Sequence, residues 1–117
     1  MVTEGPAGSA RPGVVRVARQ VLLTIITNVT GEVPGVVRLA RGSEQRARWP
    51  GRELPRDGIT LTIKDNTLFA DVYIIVAPDA NIVEVGSAIQ DVVASAIEEM
   101  VGMDVREVNV YIQDIAG

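Results

Sequence analysis

The tetrapeptide Lys64-Asp65-Asn66-Thr67 and the apolar runs on either side of it constrain this chain more than any other stretch. Ile59-Thr60-Leu61-Thr62-Ile63 alternates apolar with polar residues, the period of a strand with one buried face. Asp65 and Asn66 both tolerate the left-handed backbone of a tight hairpin. Leu68 to Val76 then reads as the returning strand. A two-residue loop sets Ile63 opposite Leu68, Leu61 opposite Ala70 and Ile59 opposite Val72. All six side chains then share one face, and a slip of one residue would turn them to the other, so the register is strongly specified.

The signals that follow agree with this hairpin. Pro78-Asp79-Ala80 ends the strand, and Asn81 followed by Glu84 forms an N-x-x-E variant of the capping box. Ile82, Val85, Ile89, Val92, Val93, Ala96 and Met100 recur at helical spacing and predict one apolar stripe. Gly102 ends that helix, with Met103 placed to fold back on Ile97. Val108, Val110 and Ile112 alternate as a last strand. Upstream, Gly13 to Val17 reads as a short strand, Pro34-Gly35 as a stop and Val36 to Leu39 as a second short strand. Between them, Ala18 to Val33 carries two signals. Ala18, Val21, Leu22, Ile25 and Val29 follow helical spacing, whereas Leu23 to Thr27 is rich in β-branched residues that favour strands.

A length of 117 residues suits one domain. Residues 1–12, rich in Gly, Pro, Ser and Ala, read as a tail, and residues 13–117 as the domain. Within it, residues 41–57 read as an arginine-rich loop: Arg41, Arg46, Arg48, Arg52 and Arg56 stand there with the only Trp and no apolar period. Apolar residues make up 47% of the chain and aromatics only 3%, so the core must be aliphatic. The absence of Cys excludes disulfides and thiolate metal sites, and the absence of His removes the commonest general base and metal ligand. The first residues lack the basic start and apolar run of a secretory signal, and the longest apolar stretches are far too short to span a bilayer. A cytoplasmic protein with no direct membrane insertion is expected. Charge is divided unevenly. Residues 1–56 hold nine arginines against four carboxylates, and residues 57–117 hold one lysine and one arginine against eleven. Such a split can orient partners or like subunits.

Several motifs in order resemble the bacterial alkaline shock protein family of small stress-associated proteins. They are Ala70-Asp71-Val72-Tyr73, Asn81-Ile82-Val83-Glu84-Val85, Ile89-Gln90, Glu98-Glu99-Met100-Val101-Gly102 and Val105-Arg106-Glu107-Val108-Asn109-Val110. The stretch from Gly13 to Val36 is similar to the family's opening, a short strand and then a helix, which decides Ala18–Val33 in favour of helix. The departure is its Thr-rich surface, where the family more often has Ala and Glu. The arginine-rich loop is not covered in detail. The expected fold is therefore α+β, a two-layer sandwich of order β-α-β-β-β-α-β, with a mostly antiparallel sheet and two helices on one face. The resemblance implies a non-enzymatic protein linked to envelope stress and homeostasis. It would work by protein–protein contact or self-association, at the membrane through a separate anchor protein, without catalytic residues or cofactor.

Three groups of residues could carry contacts. Phe69, Tyr73 and Ile75 point away from the Leu68-Ala70-Val72-Ile74 face and, with Tyr111, could form an apolar outer surface for a partner or a second copy; ordinary cross-strand pairing is the plainer account. Glu84, Asp91 and Glu98 lie seven apart on one side of the second helix, an acidic docking face or simply a solvated one. Spaced about 10 Å along the axis, they are poorly placed as a catalytic carboxylate pair. Arg46, Arg48, Trp49 and Arg52 could bind an anion or stack on a nucleic-acid base. Against this, the aromatic strand motif of an RNA-recognition domain is absent, and Gly31 and Gly35 are not spaced as a G-x-x-G clamp. A solvated loop is the competing account. No Gly-rich phosphate loop or nucleophile elbow is present to support an enzyme.

Overall fold

The structure, a computed structural model, describes residues 12–41 and 55–116. Its elements run α1 (Arg19–Gly31), β1 (Val36–Leu39), β2 (Ile59–Lys64), β3 (Thr67–Val76), α2 (Ile82–Met100) and β4 (Asp104–Ile115). The fold class is the expected α+β, but the order lacks its first strand. Gly13–Val17 is exposed and makes no strand pairing, because Val14 and Val15 find no apolar surface to cover them.

Strand β3 is the axis of the sheet. Along one edge it pairs antiparallel with β2 over Thr67–Val72 and then with β1 over Ile74–Val76. Along the other it pairs with β4 over its whole length. The β2–β3 hairpin has the expected register, Ile59 with Val72, Leu61 with Ala70 and Ile63 with Leu68. Asp65 and Asn66 supply the two left-handed residues of its turn, with φ of 51° and 60°. At the β1–β2 seam the Tyr73 N–H donates to Gly58 O (2.9 Å) and Ala40 N–H donates to Tyr73 O (2.7 Å). Gly58 has φ +74°, and a Cβ there would lie 2.8 Å from Ala40 O, so this crossing of two backbones requires glycine.

Strand β4 runs parallel to β3, with α2 as the crossover between them. A tight turn can only make an antiparallel neighbour, whereas a helix between two strands returns the chain in the same direction. Bulges fall between Leu68 and Phe69 and between Ile74 and Ile75 of the pairing, which makes Arg106 and Gln113 the extra residues of β4.

Both helices lie on one face. Leu68, Ala70, Val72, Ile74 and Val76 of β3 form a single apolar cluster with Leu22 and Ile26 of α1 and with Val85, Ile89, Val93 and Ile97 of α2. The ends of helix α2 are those its sequence predicts, but its buried stripe is Val85, Ile89, Val93 and Ile97, and the expected Ile82 and Met100 are exposed at the two ends. Asn81 accepts a hydrogen bond from Glu84 N–H (3.1 Å), and Gly102, at φ +79°, closes the helix with its N–H on Glu98 O (3.2 Å). Met103 is buried in the same cluster as Ile97. Helix α1 forms too, but its stripe is rotated from the expected one. Leu22, Leu23, Ile25, Ile26 and Thr30 are buried, while Val21 is 46% exposed. Tertiary packing on two sides, against the sheet and against α2, widens the face that a single stripe would define.

Candidate functional site

Among the described residues, alternation along the strands leaves one sheet face without a helix. Register determines what stands on it. Phe69, Asp71, Tyr73 and Ile75 of β3 are flanked by Thr62 and Thr60 of β2 on one side. On the other stand Glu107, Asn109, Tyr111 and Asp114 of β4. Arg38 of β1 is opposite Ile75. The row is aromatic and acidic rather than uniformly apolar.

Two side-chain groupings organise this face. Tyr73 and Tyr111 stand opposite each other across the parallel pair and stack, with centroids 4.8 Å apart and planes 15° apart. One register step away, Asn109 Nδ2 donates to Asp71 Oδ1 (3.0 Å) and to Glu107 Oε1 (3.3 Å), so one amide holds two carboxylates in place. Phe69 is half-buried, Tyr111 is 37% exposed and Ile75 is 4% exposed. The expected cluster of Phe69, Tyr73 and Ile75 is therefore brought together on one surface, with Ile75 its closed end. The Asp71–Asn109–Glu107 grouping was not legible in the sequence, because it depends on the parallel pairing of β3 with β4.

On the far side of the molecule, Glu84, Asp91 and Glu98 line the back of α2, opposite its buried residues, and all three are exposed. Arg46, Arg48, Trp49 and Arg52 lie outside the described residues. The described residues resume at Pro55, whose carbonyl accepts from Gly58 N–H (3.0 Å) at the seam of β1 and β2.

A shallow depression of about 390 Å³ lies at the start of α2, lined by Val33, Pro34, Gly35, Asp79, Asn81, Glu84 and their neighbours. It presents carboxylates and small apolar groups, and no nucleophile or base beyond them. Among the described residues no cluster of three or more acidic side chains could hold a metal ion, and no helix is long and apolar enough to cross a membrane.

Solved structures of MamM CTD share the fold. One superposes with a TM-score of 0.52 at 16% identity, covering 83% of this chain and 99% of that one. A nickel form of a MamM CTD variant gives 0.50 at 17% identity, covering 81% and 96%. At that identity the likeness concerns architecture alone. In sequence, the chain is 26% identical over 110 residues to the uncharacterized protein Spy1614 of Streptococcus pyogenes, covering 92% of this chain and 91% of that protein. Residues 8–117 match the alkaline shock protein 23 family, whose function is cell envelope-related. With nearly its whole length matched, and with the motifs of β3, α2 and β4 placed where the domain is built, this chain belongs to that family.

Proposed function

We propose that this protein is a non-catalytic assembly module of the cell envelope, held on the cytoplasmic side through a protein partner that docks on the outer sheet face. The observation that carries the reading is that face itself. A two-layer domain with both helices on one side exposes the stacked Tyr73–Tyr111 pair and half-buried Phe69 among fixed carboxylates. Rigid aromatics ringed by polar groups are what anchors of protein interfaces look like. The acidic back of α2, with Glu84, Asp91 and Glu98, offers a second surface, suited to steering a basic partner. Since no helix among the described residues crosses a membrane, attachment would come from that partner.

Fractionation of cells into soluble and membrane pools, with and without nuclease, tests this. The wild type should pellet with membranes in a nuclease-resistant manner. Tyr111→Ala combined with Glu107→Lys should release it while circular dichroism stays unchanged. A pool released by nuclease would move the function to the arginine-rich segment, and a wholly soluble wild type would remove the envelope attachment.

A further inference from the structure

The outer edge of β4 carries a row of open backbone groups and points to a second interaction site. Odd-numbered residues of β3 turn their backbone groups toward β1 and β2, as the bonds of Tyr73 to Gly58 and Ala40 show. Even-numbered positions therefore serve β4, consistent with Ala116 N–H on Val76 O (2.9 Å). In the observed register, Glu107, Asn109 and Tyr111 stand opposite odd-numbered β3 residues and point their own backbone inward. Val108, Val110 and Ile112 are left with N–H and C=O groups facing outward, and no strand among the described residues takes them. Among the described residues, the Val108 carbonyl alone of these groups has a partner, Gln90 Nε2 of α2 at 3.1 Å.

The side chains repeat the message. On β3 the helix-facing residues are sealed, with Leu68, Val72 and Ile74 at 0% exposure. Their register partners on β4, Val105, Val110 and Ile112, are only half-buried. A long edge with open hydrogen-bonding groups and half-covered β-branched side chains is a template for strand addition.

We propose that the free edge of β4 pairs antiparallel with β4 of a second copy, joining two four-stranded sheets into one. Among the two-fold registers, the one centred on Val110 engages all three outward residues, setting Val110 opposite itself and Val108 opposite Ile112 of the second copy. That register also places Arg106 opposite Asp114 and Glu107 opposite Gln113 of the second copy, so each end carries opposite charges and no like pair. Arg106 is exposed and has no ion-pair partner among the described residues, whereas Asp114 already accepts from Ile115 N–H (2.9 Å) and makes a further contact, so its carboxylate is shared in the dimer. Self-complementarity in charge is what selects a second copy over an unrelated extended segment. Such a strand pair sits at the small end of specific interfaces, which begin at roughly 1,200 Å² in total, so the dimer forms in a concentration-dependent way. This pairing goes beyond the docking of a partner on the outer face: it rests on the edge backbone of Val108, Val110 and Ile112, and shares only Glu107 and Asp114 with that face.

The test is sedimentation of the full chain over a concentration series. The wild type should pass from monomer to dimer. Val110→Pro removes an outward N–H without touching the β3 ladder, and should weaken the dimer about tenfold or more. Arg106→Asp should weaken it several-fold, and Arg106→Asp with Asp114→Arg should recover it. Circular dichroism checks the fold of each variant, and Arg106→Asp, at an exposed position, carries the test if Val110→Pro does not fold. A wild type monomeric at every concentration, or a dimer indifferent to these changes, overturns the proposal. Neither result bears on membrane fractionation, which reads the outer face separately.

Discussion

Thr30 is the only buried polar side chain among the described residues, at 0% exposure on α1, and its Oγ1 has no hydrogen-bond partner. A hydroxyl stripped of water and left unpaired is destabilising by roughly 1–3 kcal/mol. Thr30→Val keeps the branched shape and removes the polar atom, so it should raise the urea midpoint by about 1 kcal/mol equivalent. A loss of stability instead would show that the hydroxyl is satisfied in solution, for example by bonding back to its own helix. The same residue explains why α1 was ambiguous in sequence. Its threonines and isoleucines carry strand propensity, and the helix forms because packing on two sides outweighs that preference.

Elements governed by local chemistry were legible, and those governed by distant pairing were not. Asp65-Asn66 could be read as a turn and the β2–β3 register followed, since both depend on adjacent residues. The ends of α2 were equally clear from Asn81 and Gly102. The cap makes a direct prediction: Asn81→Ala leaves the Glu84 N–H unpaired and should lower stability by about 1 kcal/mol in thermal or urea unfolding, with function at the outer face unchanged. Gly13–Val17 misled because a short apolar run carries no information on whether a neighbour exists to pair with it. The direction of β4, and with it the Asp71–Asn109–Glu107 grouping, could not be reached because alternation is identical in parallel and antiparallel strands. Two helix side chains show how the exposed edges are managed: Arg19 Nη1 reaches Leu61 O (3.2 Å) on β2, as Gln90 reaches Val108 O on β4. Neither could have been singled out from composition.

Across the whole molecule, stability falls from β3 outward. Ile74 and Ile112 are register partners on the same face, one fully buried and the other half-buried at the edge. Ile74→Ala should be destabilising by roughly 2–5 kcal/mol, the usual range for a large aliphatic in a sealed core, and Ile112→Ala by clearly less. Denaturant melts at low protein concentration would measure the gap, and equal losses would show that the β4 edge is covered in the monomer. Charge is distributed on the same scale, with Glu84, Asp91 and Glu98 on one outside surface and Asp71, Glu107 and Asp114 on the other.

Because every other strand pairs with β3, the order in which the chain is synthesised matters. β2 precedes β3 and can close on it at once, but β4 begins only after 27 further residues. At a synthesis rate of roughly 5–20 residues per second, one side of the central strand waits for on the order of a few seconds. During that wait the hairpin shows the growing polypeptide's most apolar ribbon to its surroundings. The last strand of a neighbouring nascent chain competes for that edge, and the short connection through α2 favours the chain's own strand by keeping the loop-closure entropy small.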